Sequence, residues 1–268
     1  MRPGQLSLSA LPPLSLYVHL PWCLRKCPYC DFNSHEFRAG KELDVETARA
    51  YLAALRADLE ASLPLIWGRS VVSIFIGGGT PSLFEPEHIG ELISGLRARL
   101  PLVPDCEITL EANPGTFEKD RFKAFAQAGV TRLSIGVQSF DDGFLQRIGR
   151  VHNAAQARAA VQEAQACFET FNIDLMYALP GQTLSELDAD LSQALALSPI
   201  DPLKYYHCCL AGHAAVFDHR ESQALTWLTQ SWRLNRVHAP TVRMLVVVHQ
   251  TLGHTEQARQ FLREQQFT

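Results

Sequence analysis

The chain has 268 residues, 47% of them apolar and 19% charged, with a formal net charge of −4. That length can bury a sizeable core, the composition excludes a disordered chain, and the mild acidity gives no electrostatic case for binding nucleic acid or an anionic membrane. No apolar run reaches the about 18 residues needed to span a bilayer, and the odd count of seven cysteines argues against a secreted disulfide framework and for a reducing cytoplasm.

Taken in chain order, the N-terminal stretch MRPGQLSLSALPPLSLYVHL is apolar enough to be taken for a signal peptide. Pro12 and Pro13 break the run, however, and no small-residue cleavage site precedes the cysteines. Residues 1–14 read as a leader into the first strand, SLYVHL at 15–20. Asp44 caps a helix whose apolar stripe is Ala48, Leu52, Leu55, Leu59 and Leu63. VVSIFIGGG (71–79) predicts a second strand, 85–100 a helix, and CEITLEANP (106–114) a third strand ended by Pro114. A helix over 117–128 stops at Gly129, RLSIGVQS (132–139) is a fourth strand, and 153–168 is an alanine-rich helix. FNIDLMYALPGQ (171–182) gives a fifth strand with a Pro-Gly turn, 184–197 a helix, and LKYYHCCL (203–210) a sixth strand.

Strands alternating with helices of this length imply βα units and a parallel sheet. The pattern does not separate an open doubly wound sheet from a closed or partial barrel. The polar and glycine-rich strand ends, Gly77–Thr80, Glu111, Gln138 and Asp174, are where parallel folds place ligands. From residue 211 to 268 the strand signal stops. This tail carries five of the ten histidines, with His207 just before it, and reads as three amphipathic helices. VHQTLGHTEQARQFL resembles one tetratricopeptide repeat, with Gly253 and Ala258 at packing positions, and a plain helical cap on the sheet domain explains it as well.

Between the first strand and first helix lies VHLPWCLRKCPYCDFNSH, with Cys23, Cys27 and Cys30 inside eight residues. Thiolates hold soft metals and iron–sulfur clusters. A 4Fe–4S cluster bound by protein alone takes four thiolates, so three leave one iron open to a ligand. A structural zinc site completed by His35, or a disulfide beside a free thiol, are the alternatives. Cys106, Cys167 and the Cys208–Cys209 pair read as ordinary structural cysteines.

The ordered motifs LYVHLPWCLRKCPYCDFNSH, IFIGGGTPSLF, EITLEANPGT, RLSIGVQSFDD, IGRVHN and NIDLMYALPGQT resemble radical S-adenosylmethionine proteins over residues 15–200. Within them the chain is similar to the HemW-type haem chaperones, relatives of oxygen-independent coproporphyrinogen III oxidase. The resemblance implies an α/β fold, a partial six-stranded parallel (β/α)6 barrel over 15–210 followed by the helical tail. It implies that Cys23, Cys27 and Cys30 ligate a 4Fe–4S cluster whose open iron takes the amino and carboxylate groups of S-adenosylmethionine. Tyr17, Tyr29, Gly78, Gly79 and Thr80 then match cofactor-contacting positions, the glycines with amides free to meet the methionine end. Glu111 and Gln138 would serve ribose hydroxyls or the amino-acid end, Arg150 the carboxylate, and Asp174 would face the cofactor rather than act as a paired structural carboxylate. The chemistry implied is one-electron reduction of the sulfonium to methionine and a 5′-deoxyadenosyl radical, with flavodoxin or ferredoxin as electron donor. Haem and a haem-acceptor protein are the further partners implied.

Two positions depart from these relatives. The oxidases carry a further cysteine where this chain has Phe32, as the chaperones do. Beyond the sixth strand the relatives continue into a HNxxYW-like haem motif and a winged domain. Here His152-Asn153 is followed by Ala-Ala-Gln, and the helical tail stands in place of that region. Weak haem binding is therefore expected. Three readings follow: a HemW-like cluster protein of haem handling, a porphyrin-metabolic enzyme, or a non-catalytic metal-stabilised scaffold with a protein-binding tail.

Overall fold

The computed structural model describes residues 13–37, 43–66, 68–115, 121–197, 209, 212–213, 215–217, 219–234 and 239–265. Its strands are β1 (Leu14–Leu20), β2 (Trp22–Cys23), β3 (His35–Glu36), β4 (Val71–Gly78), β5 (Leu102–Ala112), β6 (Arg132–Gln138) and β7 (Thr170–Leu175). Its helices are α1 (Val45–Ile66), α2 (Pro86–Arg97), α3 (Phe122–Gln127), α4 (Asp142–Arg147), α5 (Ala154–Cys167), α6 (Leu184–Leu197), α7 (Glu221–Leu234), α8 (Ala239–Thr251) and α9 (Thr255–Gln265).

Five strands form one sheet in the order β1-β4-β5-β6-β7, and β2 pairs with β3. β1, β4, β5 and β6 run parallel, with Val18 opposite Ile76, Phe75 opposite Thr109 and Glu111 opposite Ser134. The central strands alternate: Ile74, Ile76, Ile108, Leu110, Leu133, Ile135 and Val137 are buried on one face, while Ser73, Thr109, Glu111 and Ser134 hold the alternate positions of the other. The α/β class with a parallel sheet is as expected, and five of the six strands expected of the partial barrel are described. The sixth strand expected over 203–210 lies outside the described residues except for Cys209, which has helical backbone. β7 ends at Leu175, seven residues short of the expected Gln182. Ala178 and Gly181 have φ of +56° and +77° around Pro180, and such a backbone cannot continue a strand.

The local signals that set the helices are visible. Thr47 donates its N–H to Asp44 Oδ1 at 2.8 Å, capping α1. Asn153 and Gln156 exchange side-chain and backbone bonds at 2.9 Å each to open α5. Thr183 and Glu186 do the same for α6. Each pair satisfies amides that a helix start leaves without a partner.

The described residues group into two compact units. The first holds those up to Val137 with Ile148–His152 and Ala159–Asp174; the second holds Gln138–Arg147, Asn153–Arg158 and those from Leu175 onward. The second unit contains the three helices expected in the tail. Ala224, Leu228, Val242, Leu245, Val248 and Phe261 form its core. The α8–α9 turn is a Schellman motif: His254 N–H donates to His249 O at 2.7 Å and Gly253 N–H to Gln250 O at 3.1 Å. Ala258 is buried as the repeat pattern requires; Gly253 marks the turn between the two helices, as its sequence context predicts, but has no packing role. Its φ is +76° and a Cβ there would meet nothing within 4 Å. His249 is buried and stacks on Phe261 at 5.5 Å. Among the described residues no helix is long and apolar enough to cross a membrane.

Candidate cofactor and metal site

The cysteine segment leaves the sheet at Leu20 and returns alongside itself. His35 N–H donates to Pro21 O at 2.7 Å and Phe37 N–H to Cys23 O at 3.0 Å, so β2 and β3 clamp the two ends. Inside the loop, Cys30 N–H donates to Cys27 O at 3.0 Å. Lys26 Nζ donates to the carbonyls of Phe32 and Ser34 at 3.1 and 3.2 Å. Cys23 is buried, Cys27 and Cys30 are half-buried, and all three are free thiols. Burial pushes the Cys23 thiol up, while hydroxyls of Thr80 and Ser34 favour its thiolate.

Among the described residues no three His, Cys, Asp or Glu side chains are grouped so as to hold a single metal ion, and His35 is exposed. A cluster is wider than an ion and takes its thiolates one per iron. Three thiols on one clamped loop, with hydroxyl donors behind Cys23, are a donor set that fits it.

The end of β1 supports the loop. Tyr17 Oη lies 2.9 Å from His19 Nδ1, and His19 Nε2 lies 2.8 Å from the carbonyl of Asn33. Because a carbonyl only accepts, Nε2 donates to it. Tyr51 Oη donates to His19 O at 2.8 Å.

At the end of β4 the expectation of free glycine amides is corrected. Gly78 N–H donates to Glu111 Oε2 at 3.0 Å, Gly79 N–H to Leu20 O at 2.8 Å and Thr80 N–H to Trp22 O at 2.7 Å. The missing side chains serve the protein's own packing: a Cβ on Gly78 would sit 2.8 Å from the His19 ring, and one on Gly79 2.4 Å from Trp22 O.

Glu111 and Asp174, both in the first unit, are held above the usual carboxylate range, chiefly by burial. Gly78 N–H pulls Glu111 down and the negative Asp174 pushes it up. Asp174 accepts from Ser134 Oγ at 2.9 Å and from Asn172 Nδ2 at 2.5 Å, so it does have structural partners.

Arg150 is the most connected side chain here. It donates to Cys27 Sγ at 3.6 Å, Tyr29 Oη at 3.4 Å, Gly136 O at 2.7 Å and Asn113 Oδ1. Asn113 Nδ2 in turn donates to Thr80 Oγ1 at 2.9 Å. Cys27, Tyr29, Arg150, Asn113 and Thr80 are thus one hydrogen-bonded chain. Gln138 ends β6 with φ +68°, accepts from Met176 N–H at 2.9 Å through its carbonyl, and belongs to the second unit. Sequence reasoning missed His19, Asn113 and Ser134. All three lie inside motifs already singled out, LYVHLPWC, EANPG and RLSIGVQS, and each is a polar residue on or just past a strand.

The radical SAM superfamily profile matches residues 17–194. The chain is 53% identical over 192 residues to a protein of Haemophilus influenzae, "Heme chaperone HemW", covering 70% of this chain and 49% of that one. It is 50% identical over 190 residues to the Escherichia coli protein of the same name, again covering 70% and 49%. Among solved structures it resembles the coproporphyrinogen III oxidase HemN of Escherichia coli, a radical SAM enzyme, with TM-score 0.61 and 33% identity over 69% of this chain and 42% of that one. The chain spans about half the length of the curated relatives it matches.

Proposed function

The chain belongs to the radical SAM superfamily, and on that premise we propose that it is a HemW-like cytoplasmic protein of haem or porphyrin handling, binding a 4Fe–4S cluster and S-adenosylmethionine. The observation that carries the reading is the clamped loop presenting Cys23, Cys27 and Cys30, tied by Arg150 and Asn113 to the ends of the strands. Such a cluster, when bound, supplies one-electron reduction of the sulfonium of S-adenosylmethionine, with an external donor such as flavodoxin or ferredoxin.

The protein's own residues bind, orient and exclude water. Cys23, Cys27 and Cys30 would hold the metal. Tyr17 is 57% exposed and Tyr29 41%, so both remain free to contact a ligand. Gly78, Gly79 and Thr80 would shape the wall beside it, and Glu111, Arg150 and Asp174 would supply its polar contacts. Burial makes Glu111 and Asp174 hold their protons more tightly than exposed carboxyls do.

A coproporphyrinogen oxidase activity is the second reading, supported by the 33% identity to HemN. Phe32, where the oxidases have cysteine, favours the chaperone-like reading. Anaerobic reconstitution tests the cluster: four irons and matching sulfide per chain are expected, and Cys27→Ser should abolish them. Equal iron and sulfide in a variant lacking all three cysteines would remove these residues from the site.

A further inference from the structure

Arg150 offers five N–H donors in a planar fork, and the protein uses most of them. One terminal nitrogen faces Gly136 O and Asn113 Oδ1. The other faces Cys27 Sγ at 3.6 Å and Tyr29 Oη at 3.4 Å. Nε is buried and makes none of these bonds. A guanidinium that clamps a carboxylate bidentately presents a whole edge of the fork. Here the edge between the two terminal nitrogens is committed to the ends of β5 and β6 and to the cysteine loop.

We infer that Arg150 is a tuning residue, donating a hydrogen bond to the Cys27 thiolate and thereby setting the reduction potential of the cluster. This rests on the reading of the three cysteines as cluster ligands. The physical basis is simple. Reduction adds one negative charge, spread over iron and sulfur. A fixed cation donating to a ligand sulfur stabilises the reduced form more than the oxidised one, so it raises the potential. Asn113 and Gly136 keep the guanidinium in place, so the effect does not depend on a bound ligand. Asn113 acts through Arg150 and is a positioning residue.

The test is a redox titration of the reconstituted full chain, without S-adenosylmethionine, using dithionite as reductant and the electron-spin signal of the reduced cluster as readout. Arg150→Met should lower the reduced-to-oxidised ratio at a fixed potential about tenfold, a shift of about 59 mV for one electron. Arg150→Lys, which keeps the charge and loses the fork, should fall between. Asn113→Ala, which leaves the arginine but removes its anchor, should shift the potential in the same direction. If Arg150→Met fails to load iron, Asn113→Ala and Arg150→Lys carry the test. Loaded variants whose potentials equal that of the wild type would overturn the inference and return Arg150 to a purely ligand-binding or structural role. Loss of S-adenosylmethionine affinity with an unchanged potential would do the same. A wild-type chain that loads no iron would instead overturn the cluster reading itself.

Discussion

Asp190, on α6, is 3% exposed. Its carboxylate accepts from Ser139 Oγ and from Phe140 N–H, each at 2.7 Å, and Asp141 N–H donates to Ser139 Oγ at 3.1 Å. These bonds hold the turn that follows Gln138, whose left-handed backbone costs on the order of 1–3 kcal/mol and persists only where its surroundings enforce it. Hydrogen bonds to a charged group are worth about 1.5–3 kcal/mol each. Asp190→Ala removes two, roughly 3–6 kcal/mol before the relief of an expensively buried carboxylate is counted. We expect a net loss of about 2–4 kcal/mol. Asp190→Asn keeps an acceptor for Phe140 and can donate to Ser139, so it should cost about 1 kcal/mol. Burial pushes the Asp190 carboxyl up against the pull of the two donors. The folded state therefore holds this proton more tightly than the unfolded chain. The contribution is greatest below the unfolded carboxyl's pKa and declines as pH rises through the raised folded value. Asp190→Asn should remove that decline. Urea unfolding followed by circular dichroism from about pH 4 to about pH 8 measures both effects. An alanine variant as stable as the wild type, or an asparagine variant with the wild-type pH slope, would refute the reasoning.

Three other outcomes are expected. Gly79→Ala forces a Cβ to within 2.4 Å of a backbone oxygen next to Cys23, so it should cost about 1–3 kcal/mol and reduce iron loading after reconstitution; a melting temperature and iron content matching the wild type would contradict this. Glu111→Gln keeps an acceptor for Gly78 N–H and should flatten the loss of stability with rising pH that the raised Glu111 carboxyl produces, visible as a smaller difference between acid and neutral unfolding midpoints. Haem titrated into this chain should bind more weakly than to the Escherichia coli HemW relative, because His249 is packed on Phe261 and His254; tight one-to-one binding lost in His249→Ala would argue the reverse.

Much of the scaffold could be read because its signals are local. Asp44, the β-branched run of β4 and the apolar stripe of α1 each act within a few residues, and these elements and the 184–197 helix formed where expected. β5 began four residues earlier than expected, at Leu102, because Leu102 pairs with Val71 ahead of a register shift, a long-range contact with no alternating pattern behind it. β2, β3 and α4 were not legible. Two-residue strands exist only through the pairing of Trp22 with His35 and Cys23 with Glu36, a long-range event with no local propensity behind it. The cysteines declared themselves by spacing. The chain from Thr80 through Asn113 to Arg150 did not, because it joins residues from three separate segments.

The pairing of β2 with β3 also bears on how a metal is captured. Closing a flexible loop has an entropic cost that grows slowly with length. Here the ends of the cysteine loop are brought together by backbone bonds at Pro21–His35 and Cys23–Phe37. The cost of closure therefore falls on folding of the sheet rather than on metal capture. What the metal must still order is the short span from Leu24 to Ser34, already braced by Lys26. The loop is in this sense a cartridge with a fixed socket: residues between its sulfurs other than Lys26 and Tyr29 can be exchanged with the socket unchanged, and chemistry at the sulfurs can diverge while the sheet beneath stays the same.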